Sequence, residues 1–162
     1  MSKKSTDIVI AGLGGQGVLT CANIVAYAAF LAGFDVKESE VHGMSQRGGS
    51  VSSDIRFGEK IFSPMISSGE ADFLILLSDT EEARSLHYLR PKSGVVLYSS
   101  KIDVKALPLP AVLNTVLLGS LSKLLEGEQN IPTQCWEEAI TKHVPATFIK
   151  ENLEAFKLGL LQ

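Results

Sequence analysis

Residues 7–23 read DIVIAGLGGQGVLTCAN. A short apolar run at 8–11 enters Gly12-Leu13-Gly14-Gly15-Gln16-Gly17, and an apolar, small-residue segment follows at 18–31. That order is strand, glycine turn, helix, and it leaves few folds open, because the helix must pack back on the sheet its strand belongs to. Gly12 permits a tight exit from the strand. Gly14 and Gly15 clear space for a ligand or another backbone, and Gly17 lets the helix approach the sheet. The first helical amides lack intrahelical partners and sit at the positive end of the helix dipole, which suits an anion, most often a phosphate. A G-x-G-x-x-G match alone is a weak signal; the strand before it and the helix after it give it weight. The bland reading is a turn that only closes a βα unit.

The rest of the chain repeats that grammar. Residues 16–32 are expected as the first helix, stopped at Gly33, and 34–39 as a second strand parallel to the first. Residues 42–50, HGMSQRGGS, have no periodicity and read as a loop. Val51, Ser53, Ile55 and Phe57 alternate with polar partners, a half-buried strand, and 58–60 should turn it into a short return strand at 61–63. FLILL at 73–77 and VVLY at 95–98 are buried-strand runs. Between them a helix is expected over about 80–89, capped by Asp79 or Thr80, with Glu81 and Glu82 facing its dipole. Helical periods follow at 115–125, 132–142 and 146–158, the last with Phe148, Ile149, Leu153 and Phe156 inward. The expected fold is α/β: one Rossmann-like domain over residues 1–162, a mostly parallel sheet with helices on both faces and an antiparallel edge hairpin.

The second informative stretch is the loop itself. Arg47 carries a rigid fork of donors for carboxylate or phosphate. Gly48 and Gly49 allow backbone amides to face a ligand, and Gln46 adds neutral hydrogen bonding. The loop leaves the same carboxyl edge as residues 12–17, where ligands of open α/β sheets bind. The alternative for Arg47 is a solvated charge or an ion pair. Asp79 reads as a helix cap ahead of a ligand contact, Asn114 as a cap ahead of a residue binding across the sheet edge, and His42 as a structural histidine. No nucleophile–base–orienter set emerges, so no residue is assigned a catalytic role.

Composition narrows the partners. A net charge of -3 implies no strong overall attraction to nucleic acid or an anionic membrane. Cys21 and Cys135 are the two cysteines, without a C-x-x-C, so neither an iron–sulfur cluster nor a structural zinc is expected within this chain. They read as reduced, buried thiols of a cytoplasmic protein. The basic start MSKKSTD lacks the apolar run of a signal peptide, and 18–31 is too short for a membrane span.

With both loops read, GLGGQGV, EVHGMSQRGGSVSSDIRFG and ADFLILLSD together resemble the gamma domain of the 2-oxoacid:ferredoxin oxidoreductases. HGMSQRGGSV is similar to the indolepyruvate branch, and the match spans nearly the whole chain. It includes the turn at 89–94, residues 114–119 and residues 151–159. One departure is Lys92-Ser93, where relatives often carry a glycine. The resemblance implies a non-autonomous subunit of an enzyme that oxidatively decarboxylates a 2-oxoacid, here an indolepyruvate or arylpyruvate. The reaction uses coenzyme A and yields an acyl-CoA and reduced ferredoxin. Thiamine diphosphate, Mg and iron–sulfur clusters would sit on large partner subunits, and ferredoxin would be met through the complex. Carried over by position, Gly12, Gly14, Gly15, Gln16, Gly17, Gln46, Arg47, Gly48 and Gly49 are the candidate coenzyme A or subunit contacts.

Two other readings stay open. Glu38 stands 21 residues beyond Gly17, near where a ribose-binding acid is expected in an independent NAD- or FAD-binding protein. The glycine loops could also serve only to dock a partner.

Overall fold

The computed structural model describes residues 5–42, 49–127 and 129–162. Among these residues five strands form one sheet: β1 (Ser5–Leu13), β2 (Asp35–His42), β3 (Ser50–Gly58), β4 (Phe73–Leu76) and β5 (Val95–Tyr98), in the order β2-β3-β1-β4-β5. β1, β4 and β5 pair in parallel, and β3 runs antiparallel to both β1 and β2. Four strands therefore point one way and β3 points the other.

The expected edge hairpin exists, but with different members. β3 does not fold back onto residues 61–63; it returns from β2 and inserts between β2 and β1. The first two parallel strands are thus not neighbours. The alternation of β3 explains the insertion. Ile55 and Phe57 are fully buried and Ser53 is equally enclosed, as an internal strand requires. Residues 61–63 instead belong to a loop pinned from several sides. Asp35 accepts from Ile61 N–H at 2.8 Å, and the Arg56 guanidinium reaches the carbonyls of Ser63 and Met65.

The long helices lie on one face. α1 (Val18–Leu31), α3 (Leu113–Leu124), α4 (Thr133–His143) and α5 (Ile149–Leu160) bury Ile24, Leu118, Trp136 and Phe156 against Ile8, Ile10, Ile55 and Ile75 of the sheet. Trp136, Ala139 and Ile140 form the buried stripe of α4, as their spacing implies. In α5 the inward residues are Asn152, Ala155, Phe156 and Gly159, while Phe148 precedes the helix and is exposed. On the other face Val9, Ala11, Leu74 and Leu76 are covered by Ile66 and Ala71 of the loop and by Tyr88 and Leu89. The expected helix after β4 is a broken one, a 3-10 turn, the single-turn α2 (Glu82–Ser85) and a second 3-10 turn.

This topology puts the carboxyl ends of β1, β2, β4 and β5 on one rim, with the amino end of β3 among them. Leu13 pairs with Ser50, His42 with Val51, and Leu76 with Ala11 and Tyr98.

Candidate functional site

The glycine turn is built from its own backbone and two amide side chains. Gln16 N–H donates to Leu13 C=O at 3.1 Å, while Leu13 N–H donates to Gln16 Oε1 at 2.7 Å. Asn114 Nδ2, from the first turn of α3, donates to Gln16 C=O at 2.7 Å. Gly12 lies under this arrangement; a Cβ there would stand 3.0 Å from Gln16 Oε1, from Leu77 Cβ and from Val18 Cγ2. Gly17 has φ +86°, and a Cβ there would meet Asn114 Nδ2 at 2.9 Å. α1 thus begins at Val18, two residues later than expected, because Gln16 closes the turn rather than opening the helix.

Among the described residues no side chain caps the head of α1, and no acidic residue occupies its first turn. Cys21 N–H is the first to bond back, to Gly17 C=O at 3.0 Å, so the amides of Val18, Leu19 and Thr20 have no intrahelical acceptor. Gly15 and Gly17 form a wall shared by two cavities. One, of about 270 Å³, runs between α1, the start of α3 and the approach to α5, and is lined by Thr20, Cys21, Asn114, Asn152 and Phe148. The other, of about 370 Å³, is lined by Leu13, Leu19 and Val51 on the β3 side. Burial pushes the Cys21 thiol up to about 12, so it is a neutral wall of the first cavity.

The second loop reaches the first through its last residue. Gly14 N–H donates to Gly49 C=O at 2.9 Å. The amide that a glycine-rich turn leaves for a ligand is here spent on the neighbouring loop, and the two turns share one rim. Gln46, Arg47, Gly48 and the side chain of His42 lie outside the described residues. The loops after β4 and β5 join the same rim, where Ser100 Oγ donates to Asp79 Oδ1 at 3.1 Å and Ser99 Oγ to Leu77 C=O at 3.1 Å.

A dinucleotide site needs its acid beside the glycine turn. Glu38 is not there. It pairs with Ile55, which pairs with Ile8, five residues before Leu13. At ~3.4 Å per residue that row lies roughly 17 Å below the rim, and β3 separates β2 from β1 by two strand spacings, about 10 Å.

The pyruvate ferredoxin/flavodoxin oxidoreductase family model matches residues 7–162. The chain belongs to that family. Indolepyruvate oxidoreductase subunit IorB of Thermococcus kodakarensis is 33% identical over 199 residues, covering 97% of this chain and 95% of the relative. The subunit of the same name from Pyrococcus horikoshii is 40% identical over 123 residues, covering 76% of this chain and 57% of the relative. Among solved structures, the gamma subunit of a keto/oxoacid ferredoxin oxidoreductase from Geobacter sulfurreducens superposes with TM-score 0.76 at 22% identity, covering 98% of this chain and 96% of that one. The 2-oxoglutarate:ferredoxin oxidoreductase of Magnetococcus marinus, solved with 2-oxoglutarate, coenzyme A and succinyl-CoA bound, gives TM-score 0.79 at 19% identity. There the likeness covers 99% of this chain and 31% of the longer one. Both superpositions show the shared fold.

In this family member the residues singled out from sequence divide by role. Gly12, Gln16 and Gly17 shape the turn, Gly14 and Gly49 join the two loops, and Gly15 faces open space. Asn114 is a correction. α3 starts one residue before it and gains no side-chain cap; its amide instead reaches 98 positions back to the glycine turn. The turn after β4 is likewise uncapped; the Ser78 and Thr80 hydroxyls bond one another at 2.8 Å and Asp79 takes Ser100. Cys135 is only half-buried. Glu81 was missed as a rim residue: its carboxylate turns from the helix to Ser50 at the start of β3. An acid five residues past the end of a strand, at a helix start, looks like a dipole partner, and nothing local in the sequence signals the turn away.

Proposed function

We propose that this chain is a small, non-autonomous subunit of a 2-oxoacid:ferredoxin oxidoreductase acting on an indolepyruvate or another arylpyruvate. Its role is to enclose coenzyme A against a thiamine diphosphate site on a partner chain. The carrying observation is the junction of the two glycine turns, Gly14 N–H on Gly49 C=O, beside the uncapped amides of α1. The donor set fits a phosphate-bearing ligand: amides without intrahelical acceptors at a positive helix end, a neighbouring Thr20 hydroxyl and no carboxylate in the first turn. The adjoining cavity, with Val112, Val144 and Phe148 in its wall, offers an apolar slot for the rest of such a ligand. The relatives named for indolepyruvate and the coenzyme A complex of the Magnetococcus enzyme support the same reading.

In the reaction the carboxylate carbon leaves as carbon dioxide, the acyl group passes to the thiol of coenzyme A, and the electron pair goes to ferredoxin. Thiamine diphosphate and Mg, held by a partner chain, would supply the electron sink for decarboxylation, and clusters on partner chains would carry the two electrons. This chain's residues bind and orient; none is assigned a proton or a covalent bond. Cytoplasmic location accords with ferredoxin chemistry, and among the described residues no helix is long and apolar enough to cross a membrane.

The test is reconstitution. The isolated chain should show no turnover of arylpyruvates, and coexpression with a thiamine-binding partner should give coenzyme A-dependent dye reduction. Turnover by the chain alone overturns the division of labour. Arg47→Ala should raise KM for coenzyme A with the complex intact; an unchanged KM removes the second loop from the ligand. Micromolar NADH binding would favour the dinucleotide reading instead.

A further inference from the structure

Glu81 is a buried acid, 5% exposed, just past the end of β4. Burying a carboxylate is costly unless hydrogen bonds compensate it. Its compensation comes from a distant strand: Ser50 Oγ donates to Glu81 Oε1 at 3.0 Å, and Arg84 Nη1 donates to the same Ser50 Oγ at 3.0 Å. Glu81 and Arg84 are three residues apart on the helical segment and so share a face. Ser50 is the first residue of β3, Glu81 follows β4, and β1 lies between those strands. The link therefore passes over the end of β1, where the glycine turn emerges. The residue before Ser50 is Gly49, whose carbonyl holds the Gly14 amide. A helix cap or a solvated acid would have no reason to reach across two strand spacings.

We propose that Glu81 is a positioning residue for the rim: through Ser50 it fixes the start of β3, so that the Gly49 carbonyl holds the glycine turn in its binding geometry. The chain of contacts is Arg84 to Ser50, Ser50 to Glu81, and Gly49 to Gly14. The effect on coenzyme A rests on the function proposed above; the effect on Gly14 does not.

Amide hydrogen exchange in the 15N-labelled full chain tests it. Ser50→Ala and Glu81→Ala should each speed exchange at Gly14 by about fivefold or more, the size of one net hydrogen bond, with Ile24 and Leu118 unchanged. The double variant should add little to the larger single effect, because both remove one link. Glu81→Gln keeps an oxygen for Ser50 to donate to and should restore near wild-type protection. Unchanged Gly14 exchange in the soluble variants, or a uniform rise over the whole chain, overturns the proposal. Ser50→Ala alone decides it should Glu81→Ala not fold. In the reconstituted complex, KM for coenzyme A should rise while KM for the 2-oxoacid stays. Faster Gly14 exchange with both constants unchanged upholds the positioning and overturns the coenzyme A reading of the rim.

Discussion

Gly119 of α3 and Gly159 of α5 meet backbone to backbone. A Cβ built on either stands 2.8 Å from the other's Cα, and each would also fall on a carbonyl oxygen, Phe156's or Val116's. Backbone atoms cannot rotate aside as side chains do, so either Gly119→Ala or Gly159→Ala must push the helices apart. The expected loss is about 1–3 kcal/mol or more. That is several degrees in Tm for a chain of this size, roughly 2–4 °C per kcal/mol. The same two helices carry Asn114, Thr115 and Asn152 into the cavity beside the glycine turn. Thermal melts of both variants check the prediction; wild-type Tm in either would show that the crossing relaxes freely.

Within the turn the glycines should not be equivalent. Gly15 and Gly17 both have φ near +90°, but a Cβ at Gly15 meets nothing within 4 Å, whereas one at Gly17 strikes the Asn114 amide that holds Gln16. Gly17→Ala combines left-handed strain, roughly 1–2 kcal/mol, with the loss of that contact. Gly15→Asn should cost less, because asparagine tolerates positive φ and the space is open. Denaturant midpoints of the two variants rank them, and a larger loss at Gly15 would contradict the placement.

Which parts of this were legible in the sequence follows from what is local. The strand–turn–helix at 7–31, the buried runs of β4 and β5 and the stripe of Trp136, Ala139 and Ile140 depend on neighbours along the chain, and each was read from its own pattern. The insertion of β3 was not legible, because period-2 alternation marks a strand without naming its partner. The contacts of Asn114 with Gln16 and of Glu81 with Ser50 are not legible for a related reason. Both residue types favour helix starts, and only the tertiary fold supplies the distant group that outcompetes the cap. Gly49 was placed on the correct rim by topology alone, but its bond to Gly14 needed the antiparallel register of Leu13 with Ser50.

Glu38 gives the fold a pH dependence of definite sign. Burial first, and the charge of Glu40 second, hold its carboxyl above the ordinary value of 4.5, and its Oε1 is enclosed without a hydrogen-bond partner. Between the unfolded value and the raised folded one, the native state binds more protons, so stability falls as pH rises through that window. Glu38→Gln should therefore stabilise the protein at pH 7 and make no difference well below pH 4.5, where the acid is protonated in both states. The side chain is half-buried, so partial solvent screening keeps the gain to about 1 kcal/mol or less. Urea titrations at pH 7 and in acid measure it; a destabilised variant at pH 7 would mean that the ionised form is stabilised in the fold.

The last prediction concerns Lys92, a non-glycine residue at positive φ. It has φ +69° in the turn from Arg90 to Gly94, where Gly94 N–H donates to Arg90 C=O at 2.9 Å. Its side chain is exposed, so backbone conformation decides the effect of substitution. Left-handed backbone costs a non-glycine residue roughly 1–2 kcal/mol, while glycine adds about 0.4–1 kcal/mol of unfolded-state entropy. Lys92→Gly should thus stabilise by about 0–1.6 kcal/mol once the two are subtracted. Lys92→Asn should gain without the full entropic penalty, since asparagine tolerates this region. Lys92→Val should destabilise, because a β-branched side chain at positive φ is a steric outlier. Shifts in urea midpoint at constant m-value separate the three, and valine matching lysine would show that the turn adopts another backbone conformation.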